Sequence, residues 1–183
     1  VTLALVRHGR TAWNAERRMQ GRTDVPLDAC GREQAAAAGR LLAQARWARV
    51  VSSPLARARE TAEIIAAALV PDAEREPGIA LDADLVERHY GRAEGLLVAE
   101  ARERWPEGDF EASEPLAEVA ARARRALGTL AAQPGGSVVV AHGTLLRVGI
   151  EELTGSPCPR VLNGQVVLLD PSPAGFVARF LGG

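Results

Sequence analysis

Lysine is missing altogether: every one of the 22 basic residues is arginine. A Walker-type phosphate loop, in which a lysine reaches the phosphates, is thereby excluded, as is any Schiff base on a lysine amine. Cysteine is scarce too. Cys30 and Cys158 are too few for a disulfide framework or a cysteine-based zinc site, and they suit a reducing cytoplasm. Histidine occurs only as His8, His89 and His142, too few for a His-rich metal centre, so no metal and no other cofactor is expected. Neither sign of charge is in excess, with 22 basic against 23 acidic residues and a net charge of -1. A generic polyanion binder carries a basic surplus, so nucleic acid is not an expected partner. Apolar runs are short and interrupted by charges, so no segment is expected to cross a membrane. The opening VTLALVRHGR has no charged stretch ahead of its apolar run, unlike a signal peptide, and a cytoplasmic location is expected.

What is present is a chain of 183 residues, 47% hydrophobic and 25% charged. That is the size of one globular domain, residues 1–183, with a substantial core. Residues 2–6 form a nearly continuous apolar run, as in a strand buried on both faces, and open into a loop at Arg7-His8-Gly9. Thr11 is placed to cap a short helix through Trp13 and Asn14. Pro26 and Gly31 punctuate a loop, and the spacing of Ala38, Leu41, Leu42 and Ala45 predicts a helix from 33 to about 46. Residues 50–52 read as a second strand, after which Ser53-Pro54 starts a helix over 55–69. Pro71 and Pro77 bracket a loop or edge strand. A long helix over about 115–132 aligns Leu116, Val119, Ala123, Leu127 and Leu130, and residues 137–141 form another buried strand ending in His142-Gly143. A helix over 144–153 and closing strands over 166–169 and 176–180 complete the chain. This alternation predicts an α/β three-layer sandwich: a mostly parallel central sheet, helices on both faces, and ligands at the carboxyl ends of the strands.

Two of these strands end alike, LVRHG at 5–9 and VVAHG at 139–143. A single strand-end histidine is more often structural than functional. Two His-Gly ends, one preceded by arginine, shift that balance toward a shared site. Arg7 is costly to bury unless an anion meets it, and its fork of donors matches phosphate or carboxylate. Arg57 lies three residues past Pro54, near a helix N-terminus that also favours an anion. The glycines let backbone approach a ligand closely. Together these features point to a phosphate site.

Leu5-Val6-Arg7-His8-Gly9-Arg10-Thr11, with Trp13-Asn14 behind it, is followed in order by Gln20-Gly21, by Asp24-Val25-Pro26-Leu27 and by the segment Ser52 to Ala62. Then come the segment Leu85 to Gly95, with Glu87-Arg88-His89-Tyr90-Gly91 inside it, and Val140-Ala141-His142-Gly143. These motifs, spread over essentially the whole chain, resemble those of the histidine phosphatase superfamily, the phosphoglycerate-mutase-like proteins. The resemblance implies that fold, with His8 as the nucleophile that forms a phosphohistidine. Arg7, Arg57 and His142 would surround the phosphoryl oxygens, and Glu87 would act as general acid and then base. Asn14, Gln20, Gly21, Gly143 and Arg10 are candidate substrate contacts. Arg10 departs from the family, which commonly has Glu or a similar residue there, and solvated surface explains it at least as well. Tyr90 is expected to pack beneath the site and His89 to serve as pocket wall or surface.

Rival chemistries can be weighed on the same letters. Ala36 and Gly164 stand where a cysteine-phosphatase loop needs arginine. Asp82-Ala83-Asp84 mimics an aspartate-nucleophile pattern, but that chemistry also needs a lysine, so both aspartates read as solvated loop residues. The resemblance covers mutases as well as phosphatases. A short lid insertion at about 96–115 carries Glu107, Asp109, Glu111 and Glu114 in its later half, a sign that repels a second phosphate or carboxylate. That favours a phosphatase of the metal-independent, phosphohistidine type acting on a small phosphorylated metabolite. A cofactor-dependent phosphoglycerate mutase is the first alternative, and a non-catalytic phospho-ligand-binding protein the second. The oligomeric state is left open, a homodimer among the options.

Overall fold

Short runs of valine, leucine and alanine make the strands, and stripes of the same residues at helical spacing make the helices that cover them. The computed structural model describes residues 1–69 and 78–181. Along the chain come β1 (Leu3–Arg7), α1 (Ala12–Ala15), α2 (Ala29–Leu42), β2 (Arg49–Ser52), α3 (Ala56–Leu69) and β3 (Ile79–Leu81). They are followed by α4 (Val98–Arg104), α5 (Leu116–Ala132), β4 (Ser137–Ala141), α6 (Gly143–Thr154), β5 (Val166–Ser172) and β6 (Gly175–Leu181). Pro71 and Pro77 lie outside the described residues. No helix among those described is long and apolar enough to cross a membrane.

Among the described residues six strands form one sheet in the order β3-β2-β4-β1-β5-β6. β1 and β2 each lie parallel to β4, and β3 is parallel to β2, whereas β5 is antiparallel to both β1 and β6. Successive side chains of a strand face opposite ways, and β1 shows it. Leu3 and Leu5 join Val119, Ala123, Leu127, Leu145 and Ile150 of α5 and α6. Ala4 and Val6 join Ala38, Leu42, Ala58, Ala62 and Ile65 of α2 and α3. The fold is therefore the α/β sandwich with helices on both faces that the pattern predicts. A third, smaller cluster of Tyr90, Ala93 and Ala101, with Met19, Leu96, Trp105 and Phe110 against it, anchors the segment around α4.

Three local expectations change. The helix predicted from 33 to 46 is α2, displaced toward the N-terminus. Asp28 caps it by accepting from the Gly31 N–H at 2.7 Å, and at the other end the Trp47 indole donates to the Leu42 carbonyl at 2.9 Å. Gly31 is thus helical rather than a loop residue, and Ala45 lies outside the helix, exposed. Leu116, placed on the buried stripe of α5, is exposed at its start. The β5–β6 hairpin extends to Ser172 opposite Gly175, further than the apolar runs alone indicate.

Helix α2 meets the loop after β1 backbone to backbone. A Cβ on Gly9 would lie 2.1 Å from the Gly31 carbonyl oxygen, and one on Gly31 would lie 2.1 Å from that of Arg10. Main chain on both sides leaves no flexible group to yield. Gly9→Ala is expected to destabilise the fold by about 1–3 kcal/mol, the usual range for overpacking, as read by urea denaturation.

Candidate active site

The site follows from strand register. β1 and β4 lie side by side with Arg7 opposite Ala141, so both His-Gly ends leave the sheet at one level. The His8 N–H donates to the Ala141 carbonyl at 3.0 Å, and the His8 and His142 ring centroids are 5.1 Å apart. On the other flank of β4, the Ser53 N–H donates to the Val140 carbonyl at 3.0 Å. That contact aims α3, and with it Arg57, at the same point, the carboxyl ends of three parallel strands.

His8 is buried, with its Nδ1 2.7 Å from the Gly9 carbonyl oxygen. A carbonyl only accepts, so Nδ1 carries the proton and Nε2 holds the lone pair. The Arg57 Nε–H donates to that lone pair at 3.3 Å. Burial, then the charges of Arg57 and Arg7, hold the imidazole well below the usual histidine range and hence neutral. His142 is held down in the same way, by burial first and then by Arg57, His8 and Arg7. Its Nε2 lies 2.8 Å from the Ser53 hydroxyl, while its buried Nδ1 has no protein partner.

The two arginines are held by main chain. Arg57, fully buried, also donates to the carbonyls of Thr23 at 3.0 Å and Gly21 at 2.6 Å. Asp24 is its nearest ion-pair partner, at 4.0 Å. Burial lowers the Arg57 pKa against the opposing charges of Glu87 and Asp24. Arg7 donates to the Val161 carbonyl at 2.8 Å, and its buried Nε has no protein partner. Burial lowers its pKa to about 10, against the pull of Glu87. Gly143 lies against this guanidinium, with a Cβ there 3.4 Å from Arg7 Cζ.

Glu87 enters from the segment before α4. Its Oε1 accepts from the N–H groups of Arg88 and Leu145 at 2.8 and 3.1 Å, and its Oε2 from that of Thr144 at 3.0 Å. The carboxylate therefore caps α6 one turn beyond His142. Asp24 does the same for α3, with its two oxygens 2.9 and 3.1 Å from the Ala56 N–H. The helix N-terminus beside Arg57, read from sequence as an anion site, already holds this protein carboxylate. Tyr90 is buried, and its hydroxyl pairs with that of Thr144. His89 is engaged with backbone at Ala112 and at Gly91.

The remaining candidates divide. Asn14 and Gln20 share one network: Gln20 Oε1 accepts from the Thr11 hydroxyl at 2.6 Å and from Asn14 Nδ2 at 3.2 Å, leaving the buried Gln20 Nε2 unpaired. Asn163, which sequence reasoning missed, donates to the His8 carbonyl and to Asn14 Oδ1, both at 3.0 Å. Ser53, read only as a helix start, is the partner of His142. Neither residue carries a local signal, since both act across strands. Gly21 supplies a carbonyl to Arg57, and a Cβ there would meet the Arg88 carbonyl at 2.6 Å. Arg10 is not gathered in. Its Nε donates to Asp28 at 2.8 Å and the side chain is 42% exposed, so it serves the α2 cap.

The charges of the segment 96–115, expected to be a lid, also read differently in three dimensions. Glu114 pairs with Arg122 at 2.8 Å and with Arg22 at 3.4 Å, and Glu111 with Arg92 at 2.8 Å. Two of the four carboxylates are thus paired with arginines from other segments, which weakens the argument from repulsion. Asp84 is likewise no solvated loop residue. It takes two bonds from Arg125, at 2.7 and 2.8 Å. Among the described residues no group of three His, Cys, Asp or Glu side chains is arranged to hold a metal ion.

A buried neutral imidazole flanked by arginines at strand ends defines a class of phosphate-handling α/β protein. The model of the histidine phosphatase superfamily (branch 1) matches residues 3–181, and the chain belongs to that superfamily. It is 38% identical over 155 residues to the uncharacterized phosphatase PhoE of Bacillus subtilis, covering 84% of this chain and 77% of that one. It is 37% identical over 166 residues to the probable phosphoglycerate mutase GpmB of Citrobacter koseri, covering 84% and 74%. Among solved structures, the mycobacterial glucosyl-3-phosphoglycerate phosphatase Rv2419c in complex with VO3 superposes with a TM-score of 0.80 at 29% identity, covering 98% and 96%.

The neutral histidines set a pH dependence of stability. Their folded pKa lies below the ordinary 6.5, so the unfolded chain binds more protons as pH falls through that value, and stability falls with it. Each contributes a slope approaching about 1.4 kcal/mol per pH unit. The carboxylates held low by their partners, Asp28, Asp84, Glu94 and Glu114, add their loss only below the ordinary carboxylate values of 3.8 and 4.5. Urea midpoints between pH 7.5 and 5.5 are expected to drop in the wild type. In His142→Asn the slope should be reduced by about half; an unchanged slope would mean that His142 takes up a proton in the folded state.

Proposed function

We propose that this chain is a metal-independent phosphomonoester hydrolase working through a phosphohistidine on His8, with Glu87 as general acid and base. The observation that carries this reading is the tautomer of His8: Nδ1–H fixed on the Gly9 carbonyl, the Nε2 lone pair aimed at Arg57. In the first half-reaction Nε2 attacks phosphorus. The ester P–O bond breaks as N–P forms, and Glu87 gives its proton to the leaving oxygen, so that an alcohol departs. Glu87 Oε2 accepts only one N–H, which leaves it room for that proton. In the second, water attacks phosphorus while Glu87 takes its proton. The N–P bond breaks, and orthophosphate leaves with His8 neutral again.

Charge on the transferring group falls to Arg7, Arg57 and His142, with Asn14, Gln20, Gly21 and Gly143 shaping the pocket. The Arg57 N–H now on the nucleophile is the donor that a phosphate oxygen would take. A small phosphorylated metabolite is the proposed substrate and the cytoplasm the proposed location, with no nucleic acid as partner. The names of the PhoE and Rv2419c relatives support a hydrolase. The GpmB likeness and the partnered lid carboxylates favour phosphoglycerate mutase as the second reading.

The test is orthophosphate release from a panel of phosphomonoesters in strong chelator, including 3-phosphoglycerate with its isomerisation followed. Release is expected to survive chelation and to fall roughly 10³-fold or more in His8→Ala, as for removal of a nucleophile. Loss of activity in chelator would overturn metal independence, and isomerisation that needs a bisphosphorylated primer would establish the mutase. For an alkyl phosphate the rate should peak at mildly acidic to neutral pH. A rate still climbing at alkaline pH would remove Glu87 from the role of acid.

A further inference from the structure

Glu87 is gripped by its carboxylate, but the main chain that carries it is gripped from elsewhere. Arg122, on α5 and 7% exposed, donates through NH1 to the carbonyls of Asp84 at 2.8 Å and Val86 at 2.5 Å, on the approach to Glu87. Its Nε and NH2 form a two-point pair with Glu114 at 2.8 and 3.0 Å. Glu114 holds the other side. Its Oε2 accepts from the His89 N–H at 3.2 Å, its own N–H donates to the His89 carbonyl at 2.9 Å, and its carbonyl accepts from Arg88 Nε at 2.8 Å. The same carboxylate reaches Arg22 at 3.4 Å, in the loop whose carbonyls hold Arg57. Nearly every donor of Arg122 is thus spent on the backbone flanking one residue, or on the partner that grips its far side.

We infer that Arg122 and Glu114 are positioning residues: a buried ion pair that sets where Glu87 delivers its proton, and that ties the end of the lid to the proton-transfer group. This rests on the reading of Glu87 as general acid. A purely structural ion pair would slow all substrates alike when broken. In kcat/KM, which reports the first half-reaction and not the later attack of water, a positioning pair acts only through protonation of the ester oxygen as it leaves phosphorus. Phenolates of low basicity leave without that help, so the two roles separate by leaving group.

The experiment compares 4-nitrophenyl phosphate with phenyl and 4-methoxyphenyl phosphates, measuring kcat/KM for wild type, Glu87→Gln and Arg122→Met. For 4-nitrophenyl phosphate, Arg122→Met is expected to stay within about threefold of wild type. For the two more basic leaving groups it should lose roughly 30-fold, part of the 10²–10⁴ that general acid catalysis supplies. Glu87→Gln should show the same selectivity, more steeply. If Glu87→Gln is selective and Arg122→Met slows all three equally, or none, the inference fails and the acid assignment stands. If Glu87→Gln shows no selectivity, the acid reading itself fails and the inference with it. Should Arg122→Met not fold, Glu114→Gln carries the same test. It keeps size and an acceptor, and its selective loss is expected at about fivefold, with a uniform loss again overturning the inference.

Discussion

One pairing decides the rest of this molecule: β1 beside β4, parallel, with Arg7 opposite Ala141. Slid by one residue, either strand would turn its core-facing side chains to the wrong helical layer. The register is therefore fixed by Leu3, Leu5, Val139 and Ala141 on one face and by Ala4, Val6, Val138 and Val140 on the other. The histidines inherit their relation from that constraint. They do not choose each other; the core chooses for them, and β2 on the far side of β4 brings Ser53 and Arg57 by the same rule.

What the register assembles is positive and poorly compensated. The hydrogen bonds that Arg7 and Arg57 donate to protein oxygens go to carbonyls rather than carboxylates, and each histidine beside them stays uncharged because a third and fourth cation in so dry a place would cost too much. The carboxylates that come near are committed elsewhere: Glu87 to the start of α6 and Asp24 to the start of α3. The field at the strand ends therefore points at whatever anion enters. Neutral imidazole, fixed tautomer and cationic surroundings are three aspects of one electrostatic arrangement.

Most of the fold, and the gathering of His8, His142 and Arg57 at the strand ends, could be read from the letters, because they depend on local signals. An apolar run ending in His-Gly marks a buried strand opening into a loop, and Ser-Pro marks a helix start close to Arg57. What escaped depends on distant partners. Asn163 and Ser53 acquire their roles across strands, and Arg122 touches the backbone around Glu87 from a helix whose own pattern reports only its apolar stripe. The carboxylates of 107–114 show the same limit with charge: of the four counted as acidic in sequence, two pair with Arg22, Arg92 and Arg122. Arg10 is the converse, two residues from His8 in sequence yet bound to Asp28. The start of α2 was missed although Asp28 is a good capping residue, because Gly31 inside the first turn reads as a breaker until the close approach to Gly9 explains it.

The central place of β1 also has a kinetic side. Its neighbours in the sheet are β4 and β5, more than 120 residues further along, so β1 stays without sheet partners until they have been made. Pairings this remote in sequence pay their loop-closure entropy before any contact repays it, and they form slowly. The β5–β6 hairpin and the α2–α3 layer have close partners and can assemble early. On a ribosome the chemical centre would therefore be a late acquisition. A chain stopped before β4 holds His8 and Arg57 but no surface on which to align them.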